Sequence, residues 1–457
     1  MTAIEQLGTH IAGCAPAAGA TRELVELRLI DTVGAWIASA STAEGQALLR
    51  FRATMQAGGQ SDTGLDLSTR CALARLSEID DIHLPSMTTP GSIVIPAALT
   101  LAATMPAVTA DDVTAAILAG YEAMTRLGRA IDGPTVLYRG IWPTYFAAPF
   151  GVAAVAARLF GLNEEEAASA LALALTFSAP GVGHHNAATT SRWFAAGNAA
   201  RNGLTAALAA QQGLTSDLKL ADGNFLSGIY GVTPDVAALI DGFGESLALA
   251  EVSYKPWCAA RQTMAATQAL KELIKSGVVP ADMSEIRVSV LPPHLKMIDH
   301  GVVAGDRASH LTSVQYCMAV AALAPDMAFD VQQSPPDLPL AICDFMEKIR
   351  IETDASLLAD YPRRWPARVR VVAGSRRREW LTNHVSGDPM EPFDRARVRE
   401  KFLRFVALSI GADKAAQVLA RCSDALASNE FTPLLAEIED ACSSASASPH
   451  FGRNASV

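Results

Sequence analysis

Apolar residues recur at helical spacing through the first 262 residues. Between Thr21 and Ala40 they fall every three or four positions, with charged side chains on the opposite face, which is the pattern of an amphipathic helix. Thr109 or Asp111 can cap the backbone amides at the start of one further stretch. At another, Asn163 is followed by three glutamates, which favour the positive N-terminal end of a helix. The spacing predicts further helices over Pro96–Met105, Ala110–Arg129, Phe146–Phe160, Asn163–Ser178 and Asn198–Gln212.

The hydrophobic period changes after residue 262. A helix over Thr263–Ser276 is followed by stretches in which polar and apolar residues alternate, as in half-buried strands. Helical spacing then returns, and Thr432 followed by Pro433 predicts the N-cap and first position of a short helix. The predicted strands are Ser284–Leu291, Ile349–Thr353, Ala367–Val372 and Arg378–Asn383, and the last two long helices are Arg395–Leu408 and Asp413–Leu426.

These patterns predict a mainly α fold with two domains. Residues 1–262 and 393–457 form a large all-helical domain, and a smaller α+β domain of residues 263–392 is inserted before the C-terminal helices. The predicted helices of the large domain are rich in Ala and Gly. We therefore expect them to approach one another closely.

The composition excludes some classes of partner. The chain has 457 residues and a net charge of -10, which argues against a nucleic acid held through its phosphates. Its apolar stretches are short and interrupted, whereas a membrane span needs about 20 apolar residues. We therefore expect neither a nucleic-acid nor a membrane partner. Because half of the residues are hydrophobic, we expect buried helices or a subunit interface, as in a homodimer.

The seven cysteines are scattered and form no Cys-x-x-Cys pair. This argues against a disulfide framework and against a cysteine-based zinc site. The N-terminal residues lack the basic and apolar regions of a signal peptide. We therefore expect reduced thiols and a cytoplasmic location.

The first candidate site is the segment from residue 78 to residue 91. It carries Asp80, Asp81 and His83 shortly before a Thr-Pro-Gly turn at Thr89. Two carboxylates and an imidazole at such close spacing can tune one another's proton affinity for acid and base catalysis. The alternative is that one of the aspartates caps the adjoining turn.

Two polar clusters follow in the helical part. Trp142 and Tyr145 stand just before a Gly/Ala-rich helix, whose N-terminal amides can attract carboxylates, although both rings could instead belong to the core. The glycine-containing loop from 181 to 193 carries His184, His185 and Arg192. A third ligand at recognisable spacing is missing, so we expect no metal site.

Two more clusters belong to the second half of the chain. Lys255, Cys258 and Arg261 stand at the predicted junction between the domains, where ligands are often enclosed. Tyr316 opens an apolar helix and could be either catalytic or part of the core. A solvated turn is the alternative for Lys255.

Taken in order, these clusters resemble the MmgE/PrpD family, which includes 2-methylcitrate dehydratase, cis-aconitate decarboxylase and iminodisuccinate epimerase. The segment from Asp80 to His83 is similar to the family's Asp-Asp-x-His element, and Lys255 with Cys258 is similar to its Lys and Cys element. Tyr316 is similar to the Tyr of its lid domain. The chain departs from the pattern at Thr89, Trp142 and Gln262, where members usually have His, and at Arg192, where they have Lys.

The resemblance implies an enzyme acting on a polycarboxylate, with the α+β domain as its lid and with no metal or cofactor. Loss of three imidazoles argues against a plain dehydratase and favours an epimerase of iminodisuccinate, which removes and returns a proton α to a carboxylate. In this hypothesis Lys255 opposes Tyr145 or His83, and Asp81 orients His83. The expected substrate-binding residues are Arg192, Arg261, Gln262, Thr89, Tyr316 and His185.

Two alternatives to the epimerase remain. A lyase could dehydrate a 2-methylcitrate-like acid or decarboxylate cis-aconitate, with Asp81 and His83 as acid and base. A non-catalytic helical protein could bind polycarboxylates or only dimerise.

Overall fold

The structure is a computed structural model, and it describes residues 1–59, 62–179 and 189–445. The described residues form two compact units. The first, here called the helical unit, comprises residues 1–59, 62–179, Thr190–Ser253 and 394–445. The second, the sheet unit, comprises Thr189 and Tyr254–Phe393. A mainly α fold is confirmed, because long helices dominate the described residues and one four-stranded sheet accompanies them.

The helical unit is built from amphipathic and fully buried helices. Short 3-10 helices at Leu84–Ser86, Leu137–Arg139 and Ala248–Glu251 connect them. The α-helices are α1 Ala3–Ala12, α2 Gly19–Ala40, α3 Ala43–Met55, α4 Thr63–Leu76, α5 Gly91–Ala102, α6 Ala110–Ala130, α7 Gly133–Val136, α8 Pro143–Leu159, α9 Glu164–Thr176, α10 Ser191–Gln211, α11 Phe225–Tyr230, α12 Val236–Ile240, α18 Arg395–Ile410, α19 Ala412–Ser428 and α20 Phe431–Ser444.

The predicted helix starts are confirmed where a side-chain cap defines them. Thr109 caps α6 and Asn163 caps α9, each in a reciprocal capping box with the third residue of the helix. The start predicted at Thr432 is wrong, because α20 begins at Phe431 and the Thr432 hydroxyl donates to the Ala103 carbonyl instead. Local caps are therefore visible in the sequence, but long-range side-chain bonds are not.

The close helix approach expected from Ala and Gly is present between α8 and α10. A Cβ atom at Gly203 would lie 2.3 Å from the Pro149 carbonyl oxygen, so only glycine fits there. Most of the inward residues of α10 are alanines and glycines. Such small residues let two helix backbones pack against each other, but they give only a weak hydrophobic signal. This explains why α10 begins seven residues before the predicted Asn198.

The sheet unit contains four strands in the order β2-β1-β3-β4. β1 pairs in parallel with β2 and antiparallel with β3, and β3 pairs antiparallel with β4. Alternate residues of β1 and β3 are buried, so the expected half-buried strands are confirmed. The elements are α13 Arg261–Lys275, β1 Met283–Val290, α14 Leu295–Ile298, α15 Arg307–Thr312, α16 Val314–Leu323, α17 Leu340–Glu347, β2 Ile349–Thr353, β3 Ala367–Ala373 and β4 Arg376–Thr382, with 3-10 helices at Pro280–Asp282, Pro292–His294, Pro325–Phe329 and Ala355–Asp360.

A buried ion pair connects α18, which precedes α19 and α20, to the core of the helical unit. The Lys401 ammonium donates to the Asp31 carboxylate at 2.6 Å and to the Ile79 carbonyl at 2.7 Å. Both side chains are almost fully buried. Because Ile79 directly precedes Asp80, this lysine anchors the backbone at the start of the segment that carries the candidate acid and base residues. Within the described residues, no helix is both long and apolar enough to cross a membrane.

Candidate active site

The segment between α4 and α5 has a defined backbone conformation. Glu78 and Met87, at its two ends, adopt the left-handed region with φ of 57° and 56°. The His83 amide donates to the Thr88 carbonyl at 2.8 Å, and Ile82 forms an antiparallel bridge with Ser253. A residue other than glycine in the left-handed region costs free energy, and such conformations are enriched at functional sites. The strained conformation therefore makes this segment a good candidate for function.

Asp81 anchors the N-terminus of α5. Its Oδ1 accepts the Gly91 amide at 2.8 Å, and its Oδ2 accepts the Tyr121 hydroxyl at 2.8 Å. Arg28 lies 3.9 Å away. Burial raises the pKa of Asp81 to about 6, although Arg28, the Tyr121 hydroxyl and the Gly91 amide oppose that rise. The capping alternative thus describes the geometry of Asp81, and α5 begins at Gly91 instead of the predicted Pro96 because this carboxylate holds its first amide.

His83 has its own partners. Its Nδ1 lies 2.7 Å from the Ser86 hydroxyl and its Nε2 lies 3.4 Å from the Glu251 carboxylate. Burial lowers the pKa of His83, although Glu251 opposes the shift, so the neutral ring is favoured. The expectation that Asp81 orients His83 is corrected. The carboxylate facing this imidazole belongs to Glu251, because that of Asp81 is bonded to the start of α5.

The raised pKa of Asp81 predicts a pH-dependent stability. In the folded protein the carboxyl is neutral up to about pH 6, whereas its ordinary pKa is 3.8, so the free energy of unfolding should fall as pH rises through this range. Asp81→Asn has no such charge. We expect the variant to gain up to about 3 kcal/mol relative to the wild type between about pH 4 and 7. Urea unfolding at several pH values measures this difference, and a difference that does not change with pH would contradict the raised pKa.

A second network in the helical unit surrounds Tyr145. Arg75 lies 3.0 Å from the Glu78 carboxylate and 3.2 Å from that of Asp80. Tyr145 is fully buried near this group, and its hydroxyl has no hydrogen-bond partner among the described residues. Burial raises the pKa of Tyr145, although the Arg75 and Arg192 guanidinium groups oppose the rise. The phenol is therefore protonated at neutral pH and can donate a hydrogen bond.

Aromatic contacts bring Arg192 to the same network. The Trp142 and Tyr145 rings are stacked with their centroids 5.5 Å apart, and the Arg192 guanidinium lies 5.2 Å from the Trp142 ring centroid. The neighbouring Trp193 donates from its indole nitrogen to Glu78 at 3.3 Å. The structure thus brings together Tyr145 and Arg192, two of the residues predicted from the sequence.

Thr89 belongs to a cluster of hydroxyl groups. Its amide donates to the Thr144 hydroxyl at 3.1 Å, and its own hydroxyl lies 3.3 Å from those of Thr144 and Ser92. Thr144 directly precedes Tyr145 in α8. A hydroxyl cluster can donate hydrogen bonds to a carboxylate, but at neutral pH it does not exchange protons as an imidazole does.

Sequence reasoning missed Arg75 and did not single out Glu78. Both are buried, and together with Asp80 they place two carboxylates beside one guanidinium. Burial lowers the pKa of Arg75, but these carboxylates raise it by more, so Arg75 stays charged. Arg75 lies near the end of α4 in an ordinary amphipathic pattern, and the sequence carries no signal that would have separated it from a surface arginine.

In the sheet unit, Arg261 is already paired. Its Nη2 donates to both carboxylate oxygens of Asp388 at 2.9 and 2.7 Å, and its guanidinium carbon lies 5.6 Å from the Trp365 ring centroid. Its Nε and Nη1 are buried without a partner among the described residues. Arg261 could therefore hold a carboxylate only through these two nitrogens. Gln262 follows it in the first turn of α13 and is also buried.

Lys255 and Tyr316 also lie in the sheet unit, and both are buried. The Tyr316 hydroxyl donates to Gln333 at 3.2 Å, and the Gln333 amide donates to the Cys258 carbonyl at 3.4 Å. Burial raises the pKa of Tyr316, so it too is protonated at neutral pH. His185, predicted to bind substrate, lies outside the described residues.

The described residues contain no group of three or more His, Cys, Asp or Glu side chains placed to hold a metal ion. The groups around Tyr145 include guanidinium, hydroxyl and indole N–H donors. Donors of this kind recognise carboxylates and stabilise developing negative charge.

Comparison with known proteins agrees with the resemblance of the motifs. Residues 5–234 match the MmgE/PrpD N-terminal domain, and residues 257–425 match the MmgE/PrpD C-terminal domain. The chain therefore belongs to the MmgE/PrpD family. Members of this family are enzymes, and membership supports a dehydratase, lyase or related activity. No curated protein matches the chain.

Proposed function

We propose that the protein removes and returns a proton α to a carboxylate of a polycarboxylate, as an epimerase of iminodisuccinate. The observation that carries the proposal is the buried Tyr145 hydroxyl, which has no partner among the described residues and lies near two guanidinium groups. A buried donor left without a partner costs free energy in the resting protein. A substrate atom that accepts a hydrogen bond from this phenol would remove that cost.

The cations near Tyr145 suit the charge that forms in this reaction. Abstraction of a hydrogen α to a carboxylate adds negative charge to a group that is already anionic. Arg192, stacked on Trp142, can stabilise that charge in a site from which water is excluded. One preorganised donor of this kind is worth about 2.7–4 kcal/mol of transition-state stabilisation.

Inversion requires a proton acceptor on one face of the carbon and a donor on the other. Since Tyr145 is protonated at neutral pH, we assign it the donor role in one direction. Lys255, a buried amine, is proposed as the opposed base on the strength of its motif resemblance. In this proposal the sheet unit acts as a lid that excludes water. The homodimer and the cytoplasmic location stay predictions.

Three substitutions separate this chain from the lyase pattern. Thr89, Trp142 and Gln262 stand where the resemblance leads us to expect imidazoles. Dehydration requires an acid strong enough to protonate a leaving hydroxyl, and an imidazole near neutral pKa is the usual donor. The hydroxyl cluster at Thr89 and the stacked indole of Trp142 do not supply one.

The test is a screen of polycarboxylates in deuterated water. Iminodisuccinate, citrate, 2-methylcitrate and cis-aconitate are incubated separately with the protein and followed by proton NMR. We expect loss of the α-hydrogen signal of iminodisuccinate and appearance of its epimer. Lys255→Ala should abolish both changes, because the proposed base is removed.

Each alternative gives a different result in the same screen. A new alkene signal from citrate or 2-methylcitrate, or carbon dioxide release from cis-aconitate, would identify a lyase. Binding of a polycarboxylate with no exchange of any hydrogen would identify a binding protein. Undiminished exchange in Lys255→Ala would remove that residue from the mechanism.

A further inference from the structure

His310 is a buried imidazole in the sheet unit that the proposed mechanism does not use. It lies in α15, and only 1% of its surface is exposed. Its ring meets that of Tyr316 edge to face, with the centroids 4.8 Å apart and an interplanar angle of 90°. It is thus in direct contact with one of the predicted substrate-binding residues.

The hydrogen bond of His310 fixes which of its nitrogens carries the proton. Nδ1 lies 2.8 Å from the backbone carbonyl oxygen of Asp306. A carbonyl oxygen only accepts, so Nδ1 must be the protonated nitrogen that donates. Burial lowers the pKa of His310, although this carbonyl opposes the shift, so the ring is neutral at pH 7. Nε2 therefore bears a lone pair.

That lone pair has no donor in the described part of the chain. Nε2 of His310 is buried and makes no hydrogen bond there. Leaving a buried acceptor without a donor costs free energy, and such groups need an explanation in native proteins. A donor on a bound ligand is one such explanation.

The other polar groups of the candidate sites point to the kind of donor. In the sheet unit, Nε and Nη1 of Arg261 are buried hydrogen-bond donors without a partner among the described residues. Donors of this kind suit the carboxylates of a substrate. They cannot pair the hydrogen of an amine or a hydroxyl on its carbon skeleton, because that hydrogen needs an acceptor.

His294 is the competing acceptor. Its Nε2 is also buried without a partner in the described residues. However, its ring centroid lies 4.8 Å from that of Trp365, whereas the His310 ring packs against Tyr316, the residue predicted to bind substrate.

We propose that Nε2 of His310 accepts a hydrogen bond from an N–H or O–H group on the substrate skeleton. His310 thereby selects polycarboxylates that carry an amine or hydroxyl over those that carry only carboxylates and hydrocarbon. This inference rests on the proposed function for the polycarboxylate class, and it adds the group that distinguishes one polycarboxylate from another. A site built around such a bond rejects an analogue that lacks the donor, because the acceptor is then left buried and unpaired.

The test uses calorimetric titration with two matched ligand pairs. Citrate is compared with tricarballylate, which lacks the hydroxyl, and iminodisuccinate with pentane-1,2,4,5-tetracarboxylate, in which a methylene replaces the N–H. The wild type should bind the donor-bearing member of each pair more tightly. His310→Phe, which keeps an aromatic ring against Tyr316, should reduce this preference about 10- to 100-fold.

Further variants keep the test independent of folding. His310→Asn can still donate to the Asp306 carbonyl but has no acceptor at the position of Nε2, so it should lose the preference as well. The glutamine side chain of His310→Gln reaches further and offers a carbonyl oxygen as an acceptor, so this variant should retain most of the preference. His294→Phe is the matched control, and it should leave the preference unchanged.

An unchanged preference in both His310→Phe and His310→Asn would overturn the inference, and so would an equal loss of affinity for both members of each pair. A wild type that binds none of the four ligands would overturn the inference too. The proposed function is judged separately by hydrogen exchange. If the wild type exchanges no α-hydrogen of the substrate but the His310 variants still lose the ligand preference, the result contradicts the epimerase alone.

Discussion

Replacing Tyr145 by Phe is expected to reduce the rate of epimerisation about 10²- to 10⁴-fold, the range that a positioned acid or base contributes. The hydroxyl makes no hydrogen bond in the described part of the chain, so its removal takes away no bond from the folded protein. The ring that stacks on Trp142 is kept. Activity should therefore fall while the melting temperature stays the same or rises, a combination that a purely structural tyrosine would not give.

Tyr230→Phe is the matched control in the same unit. The Tyr230 hydroxyl donates to the Ser178 carbonyl at 3.1 Å, so it has an ordinary structural bond. Its loss should cost a little stability and leave the epimerisation rate nearly unchanged. Equal epimerisation rates in Tyr145→Phe and the wild type would remove Tyr145 from the reaction.

The largest expected effect on stability is that of Lys401→Met. The substitution leaves the Asp31 carboxylate and the Ile79 carbonyl buried without the ammonium that now binds both. Removal of one partner of a buried ion pair costs about 3–5 kcal/mol of unfolding free energy. Because Ile79 adjoins Asp80, we also expect backbone amide hydrogen exchange to rise in the segment between α4 and α5. Urea unfolding and amide exchange measure the two effects.

The exposed pair of Lys414 and Asp440 provides the control. Their side chains are 2.6 Å apart, but Asp440 is largely exposed. Lys414→Met should therefore change the unfolding free energy by less than about 1 kcal/mol. Similar losses in the two lysine variants would show that burial of the Lys401 pair is not what makes it important.

The sequence predicted elements whose signals are local. The cap at Thr109, the helix start with an acidic first turn at Asn163 and the alternating strands are confirmed, because each is defined by neighbouring residues. It failed at the starts of α5 and α20. At α5 the deciding bond comes from Asp81, ten residues away, and at α20 Thr432 bonds to Ala103 instead of capping.

The candidate site was predictable only in part, for the same reason. Tyr145 and Arg192 attract notice because they are unusual residues in polar turns, and the structure brings them together through Trp142. Arg75 meets them only in the folded chain. The sequence places Asp81 and His83 two positions apart and suggests a pair, but their hydrogen bonds run to different partners.

The most direct test of proton removal and return is the isotopic content of substrate and product at early times. A single stereoisomer of iminodisuccinate is incubated with the protein in deuterated water, and both species are isolated before equilibrium. With separate acceptor and donor groups on opposite faces, the epimer should carry deuterium at the inverted carbon while the remaining substrate still carries hydrogen. Absence of deuterium from the epimer, or equal early labelling of both species, would contradict this account.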